Sequence, residues 1–285
     1  MTDMERVQPE PVRYHPRPCC RVAGGPVPLE THTALQHVVN EVACEALAAR
    51  RMLDVDYVED VVPVGLLEIA EPASVCHGVS LYKPEPPPVG VLLLTMVSLD
   101  GAALQALADS PHLAGLPKLV EATRKLARAE TKGVFDAIAA ATVAACEGPP
   151  PCEPSEATCR GGRLLNAVRC LRAKGFGGDL LLAIAADEWA KLDREAAEVA
   201  GRLRAETGGN IVVLPPCGDH VAVLVAPGGE SVRLVIGDNY ALKWLATDGV
   251  HHTFALTVGY RVIVVDRCAV RVVWRRSEAD EEACS

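Results

Sequence analysis

Residues 116–146 read LPKLVEATRKLARAETKGVFDAIAAATVAAC and carry the longest helical pattern in the chain. Apolar side chains recur at intervals of three and four, namely Leu116, Leu119, Val120, Leu126, Val134, Ile138 and Ala141. Four basic residues occupy the other side, namely Arg124, Lys125, Arg128 and Lys132. Pro117 suits the first turn of a helix, and Gly148-Pro149 ends it. Such a helix is on the order of 45 Å long, so it predicts a rod that supports a flat structure.

Three segments of different character precede this rod. Residues 1–34 contain six prolines and are predicted to form an extended arm. Residues 35–53 place apolar side chains at helical spacing, which predicts an amphipathic N-terminal helix. Residues 54–90 hold short β-branched runs between prolines, and such a ribbon needs a neighbouring surface for stability. Residues 91–148 then combine a strand, a short helix capped by Asp100, and the rod.

A linker rich in proline and glycine separates the rod from a second module at 149–245. This module mixes helices with strands, so the chain is predicted to be an α+β protein. Asp187 is expected to cap one helix over 188–206. The apolar runs at 221–225 and 232–236 are expected to pair as a hairpin.

The last part of the chain contains strands and a charged tail. Residues 246–276 alternate in polarity and predict antiparallel strands at 253–257, 260–265 and 269–274. Residues 277–285 are acidic and are expected to be solvated.

The composition excludes several classes of protein. The 285 residues are 49% hydrophobic and 23% charged, which excludes wholesale disorder. A net charge of −9 gives no sign of a basic surface that would bind a phosphate backbone, so no nucleic-acid partner is expected. No apolar run reaches the roughly 20 residues that span a bilayer, and the N-terminus lacks the pattern of a secretory signal. We therefore expect a soluble, cytoplasmic protein without a membrane partner. Its scarcity of asparagine and glutamine is typical of thermophiles.

No sequence pattern points to catalysis, a cofactor or a metal. Motifs for phosphate loops, dinucleotide folds, zinc proteases and nucleophile elbows are missing, and the eleven cysteines form no CxxC pair. Disulfides and inert buried thiols fit these cysteines equally well. His251 and His252 are neighbours in a predicted strand and point to opposite faces, while Asp54 and Asp56 have no opposing acid or nucleophile. The chain is therefore not expected to be an enzyme.

Four stretches, in this order, resemble a known family. They are RRMLDV (50–55), LVEATRKLARAETKGVFDAI (119–138), GGNIVVLP (208–215) and PGGESVRLVIGDNYALKWL (227–245). Together they are similar to segments of family 1 encapsulins, which are shell proteins with the HK97-type capsid fold. The resemblance covers residues 28–274. The chain departs from the family pattern at Glu130-Thr131, Ala137 and Val258, and keeps only Gly237 to Tyr240 of a longer consensus.

The resemblance implies an α+β, HK97-like fold with a peripheral domain, an axial domain and an extended loop. Residues 54–90 would form the extended loop over a neighbour, 149–245 the axial domain, and 91–148 with 246–276 the peripheral domain. The implied function is a self-assembling icosahedral shell, a homo-oligomer, that encloses a cargo enzyme bearing a targeting peptide. The alternative is a major capsid protein of an HK97-type tailed virus or prophage. A neighbouring enzyme gene, as opposed to portal and terminase genes, would discriminate the two.

The resemblance also implies site residues. Leu35, Val38, Val39 and Val42 would form the apolar face that binds cargo; alternatively, the same face docks on its own peripheral domain. Asp193, Arg194, Glu195 and Ala196 are candidates for a pore rim; alternatively, they belong to an ordinary uninterrupted helix. Cys19, Cys20, Cys152 and Cys159 are candidates for disulfides, and the first two could reach another subunit.

Overall fold

The computed structural model describes residues 27–57, 80–82, 90–109, 116–143, 160–215, 220–226, 231–237 and 239–275. The helices are α1 (Leu29–Ala46), α2 (Ala48–Met52), α3 (Gly101–Asp109), α4 (Pro117–Val143), α5 (Arg160–Ala173), α6 (Ala186–Glu195) and α7 (Ala197–Glu206). The strands are β1 (Asp54–Tyr57), β2 (Ser80–Tyr82), β3 (Val91–Asp100), β4 (Leu181–Ala185), β5 (Ile211–Leu214), β6 (His220–Val225), β7 (Val232–Ile236), β8 (Ala241–Thr247), β9 (His251–Val264) and β10 (Val270–Trp274).

One sheet is built around the long strand β9. β3 pairs with β9 from Val91 opposite Tyr260 to Asp100 opposite His251, and β2 pairs with the outer edge of β3. β8 and β7 pair with successive parts of β9, and β1 joins β7 in parallel. Alternate residues of β3 are buried from Leu93 to Leu99, so one face of this sheet packs on the core.

The second sheet has the strand order β10-β6-β4-β5. Every residue of β4 and β6 is buried because both faces of this sheet are covered. On β4, Leu181 and Ala183 join the large core that includes α4, whereas Leu182 and Ile184 belong to a second core with α5, α6 and α7. The α4 rod therefore lies between the two sheets.

The predicted rod is confirmed, although the structure begins α4 at Pro117 and describes it only as far as Val143. Three of its apolar side chains, Leu119, Leu126 and Ile138, are completely buried. The cap of α3 is also confirmed, since the Ala102 N–H donates to Asp100 Oδ1 at 2.7 Å.

The predicted hairpin between residues 221–225 and 232–236 is wrong. β6 pairs with β4 and β10, whereas β7 pairs with β1 and β9 in the other sheet. β7 and β8 therefore belong to the six-stranded sheet although they lie within 149–245, and β10 belongs to the four-stranded sheet although it lies within 246–276. The strands expected at 253–257 and 260–265 are one strand, β9.

Two helix predictions also need correction. The helix expected over 188–206 is interrupted at Ala196, whose φ of −145° and ψ of 52° are not helical, so α6 and α7 are separate. Asp187 lies within the first turn of α6 and does not cap it, since the residue at the N-cap position is Ala185. The N-terminal helix begins at Leu29, earlier than expected, and is followed by a separate turn of helix, α2. Most of the predicted arm, loop and tail lies outside the described residues.

Candidate functional site

A buried ion pair joins α2 to the middle of the rod. Arg50 Nε donates to Glu130 Oε1 at 2.7 Å, and Arg50 Nη2 donates to Glu130 Oε2 at 3.0 Å. The side chains are 6% and 0% exposed, respectively. Burial by itself would lower the pKa of Arg50, but the adjacent Glu130 carboxylate raises it well above its ordinary value. The guanidinium therefore stays charged, and this two-point contact fixes the position of α2 on α4.

The loop before β8 completes this ion-pair cluster. Arg50 Nη1 donates to Asn239 Oδ1 at 2.9 Å, and the Tyr240 hydroxyl donates to Glu130 Oε2 at 2.9 Å. The Arg50 guanidinium also lies over the Tyr240 ring, 5.4 Å from its centroid. Three of the four stretches that carry the family resemblance therefore meet here. The Glu130 carboxylate is paired with Arg50 and accepts three hydrogen bonds in all, so the cluster joins α2, α4 and the loop before β8.

The four predicted cargo-binding side chains of α1 lie in the chain's own core. Leu35 and Val39 are completely buried, and Val38 and Val42 are each 5% exposed. All four belong to the large core that includes α4. The structure therefore shows this face packed in the chain's own core around α4, which agrees with the second of the two interpretations. An aspartate at Val38 or Val42 would bury a charge and disturb this packing.

The other residues of α1 that pack inward protect the edge of β8. Gln36 donates through Nε2 to the Tyr240 carbonyl at 2.7 Å and accepts from the Leu242 N–H at 3.0 Å. His32 Nε2 lies 2.8 Å from the Leu242 carbonyl. The Gln36 amide thus forms the two hydrogen bonds with the β8 backbone that a neighbouring strand would otherwise form.

Sequence reasoning missed the Gln36 contact, although one signal for it exists. The chain contains only seven amide side chains, and Gln36, Asn40 and Asn239 all lie at the junction of α1, α2 and β8. A scarce residue type that clusters at a partly buried junction indicates a specific hydrogen-bonding role.

The candidate pore residues lie where α6 ends. Asp193, Arg194 and Glu195 are exposed, and Ala196 marks the break before α7. Asp193 accepts from Arg204 Nη2 at 2.7 Å. The interpretation of these residues as one uninterrupted helix is therefore wrong, whereas their position at a pore stays a prediction.

Cys19, Cys20, Cys152 and Cys159 lie outside the described residues, and of the cysteines in the described part, Cys44 and Cys268 are free and exposed. Within the described ranges, no group of three His, Cys, Asp or Glu side chains could hold a metal ion. No helix of the described chain combines the length and the apolar character needed to cross a membrane.

Two sheets arranged around a long helix agree with the HK97-type capsid fold, which the structural comparison assigns to this chain. The virus-like particle of Pyrococcus furiosus has this fold, with a TM-score of 0.55 and 15% identity over 85% of this chain and 98% of that one. The holo-SrpI encapsulin complex of Synechococcus elongatus matches with a TM-score of 0.39 and 11% identity over 88% of this chain and 91% of that one. A protein of Mycobacterium phage Che8 matches with a TM-score of 0.40 and 13% identity over 68% and 82%.

The family model described as "Encapsulating protein for peroxidase" matches residues 23–258, and the chain belongs to this encapsulin family. No curated protein sequence matches the chain. The family consists of structural shell proteins and not of catalysts, which confirms the expectation that this chain is no enzyme. Its fold and its homo-oligomeric shell class are likewise as the resemblance implied.

Proposed function

We propose that this chain assembles into an icosahedral nanocompartment in the cytoplasm and encloses a cargo enzyme that carries a targeting peptide. The observation that carries this proposal is the family match over residues 23–258, whose description names a peroxidase as the enclosed protein.

The exposed edges of both sheets support assembly. β1 is an edge of the six-stranded sheet and exposes Tyr57, and β5 is an edge of the four-stranded sheet and exposes Val213, each to about half of its side-chain surface. An exposed apolar edge strand such as β5, which reads IVVL, is a liability in a monomer, and contacts with neighbouring copies would remove it and the Tyr57 side chain from water.

The cargo peptide then needs a surface other than the buried face of α1. The edge of β8 offers one, because within the described part of the chain α1 forms hydrogen bonds to it only at Tyr240 and Leu242. Next along β8, Leu245 is 44% exposed. An extended peptide that adds to this edge would cover Leu245.

Electron microscopy and mass spectrometry of the purified protein test the proposal. We expect closed icosahedral particles that protect one enzyme from added protease. Particles that protect virus-length DNA would show the viral alternative instead. A protein that stays a small monomer when dilute, with a sharp thermal transition, would contradict shell assembly altogether.

A pair of surface variants tests the cargo surface. Leu245→Asp places a charge at the exposed apolar position that the peptide would cover, so we expect particles with severalfold less enclosed enzyme. Val265→Asp, at an exposed apolar position just after β9, is the matched control and should retain the cargo. Equal cargo in both variants would refute the role of Leu245.

The pore and disulfide proposals have separate tests. If Asp193, Arg194 and Glu195 line a five-fold pore, a reconstructed shell will show a wide aperture of mixed charge, and a narrow uncharged one would count against it. If Cys19 or Cys20 links subunits, non-reducing gels of the particles will show bands above the monomer, and monomer alone would reject the link.

A further inference from the structure

The exposed stripe of α4 is basic in an acidic protein. It carries five basic residues, Lys118, Arg124, Lys125, Arg128 and Lys132, against the acids Glu121 and Asp136. Lys125 pairs with Glu121 at 2.7 Å, and Lys132 pairs with Asp136 at 2.5 Å. Both acids of the stripe are thus already paired.

Arg124 and Arg128 remain unneutralised. Both are exposed, and neither has an ion pair within the described part of the chain. A net charge of −9 makes such a cluster unusual in this protein, since acidic side chains outnumber basic ones by 37 to 28. An anionic segment would find a complementary surface here.

The C-terminal tail starts at one end of this basic stripe. The Trp274 ring, at the end of β10, contacts the His220 ring edge to face with centroids 6.1 Å apart. His220 Nε2 in turn lies 3.5 Å from Asp136 Oδ1 on α4. The residues after 275 therefore leave the described structure beside the Asp136 end of the stripe.

The length and charge of the tail match the stripe. Along α4, Arg128 lies about 12 Å and Arg124 about 18 Å from Asp136, at 1.5 Å per residue. An extended chain covers about 3.3 Å per residue, so Glu278 can reach about 13 Å and Glu281 about 23 Å beyond Trp274. The acids of the tail are Glu278, Asp280, Glu281 and Glu282. The distances that these acids can reach beyond Trp274 include the distances of Arg128 and Arg124 from Asp136 along α4.

We propose that residues 277–285 of each chain lie along the α4 stripe of the same chain and pair with Arg124, Lys125 and Arg128. This contact goes beyond the function proposed above and does not depend on it. Its consequence is that the tail shields the basic stripe from other polyanions, including nucleic acid.

Zero-length carbodiimide cross-linking of the full-length protein, read by mass spectrometry, tests the contact. We expect tail carboxylates to link to Lys125 severalfold more often than to Lys243, an exposed lysine on β8 that serves as the control. Raising the salt concentration to about 0.5 M should reduce the Lys125 links, since it screens exposed charges. Equal linkage to both lysines would overturn the proposal.

Two further measurements separate the alternatives. In particles assembled from equal amounts of ¹⁴N and ¹⁵N chains, an almost complete absence of mixed-isotope links supports the proposal. A mixed fraction of about half, which random pairing between different chains produces, would assign the stripe to a neighbour's tail and overturn it. In a variant with Glu278→Gln, Asp280→Asn, Glu281→Gln and Glu282→Gln, we expect at least severalfold tighter binding to heparin. Unchanged heparin binding would show that the tail does not shield the stripe.

Discussion

The buried pair of Arg50 and Glu130 predicts a large and specific loss of stability. Glu130→Ala leaves the 6% exposed Arg50 side chain without its carboxylate and removes the acceptor of the Tyr240 hydroxyl. Breaking a buried ion pair by deleting one partner costs about 3–5 kcal/mol. A domain of 150–250 residues loses about 2–4 °C per kcal/mol, so the expected fall in Tm is on the order of 10 °C.

A matched surface pair on the same helix provides the control. Glu121 and Lys125 form an ion pair at 2.7 Å, the same length as the Arg50–Glu130 contact, but both side chains are exposed. Glu121→Ala should therefore leave the Tm almost unchanged. Replacing both buried partners, as in Arg50→Met with Glu130→Leu, should recover much of the loss because no unpaired charge remains.

The assay is thermal unfolding followed by circular dichroism, on particles and on subunits released from them. If Glu130→Ala and Glu121→Ala have the same Tm in both preparations, the Arg50–Glu130 pair is not buried, and the predicted loss of stability is refuted. Recovery in the double variant would further show that the single variant suffers from an uncompensated charge and not from a loss of packing volume.

Three other changes have defined outcomes. Gln36→Ala removes both hydrogen bonds to the β8 edge and should cost about 1–3 kcal/mol in chemical denaturation. Gly133→Ala places a methyl group against the Tyr260 hydroxyl, so it should lower the Tm, and adding Tyr260→Phe should restore it. Burial alone would raise the pKa of Asp187, but Arg275 lowers it below 3.8; the resulting stability is present above that value and lost as the pH falls through the folded pKa. Asp187→Asn should therefore lower the Tm near neutral pH, and this difference should shrink as the pH falls through the folded pKa of Asp187.

Each of these changes has a control or a contrary result. Gln105→Ala, at an exposed position of α3, should be neutral, and a similar loss there would remove the case for Gln36. Tyr260→Phe alone should be tolerated because the hydroxyl has no hydrogen-bond partner in the described structure. A Tm difference for Asp187→Asn that persists at low pH would contradict the ion pair with Arg275.

The sequence by itself determined features that depend on neighbouring residues. The spacing of Leu119, Leu126 and Ile138 predicted α4, and Asp100 predicted the start of α3, because helix formation and capping act over a few residues. The family resemblance likewise predicted the shell class, since its short stretches occur in order along the chain.

Only the tertiary structure decided how distant segments combine. Local pattern could not show that β6 and β7 belong to different sheets, because alternation determines which face is buried and not which strand is the partner. It also could not show that the apolar face of α1 packs inward, or that Arg50 meets Glu130 80 positions away. These contacts depend on long-range packing, in which burying apolar surface and pairing buried charge outweigh local preference.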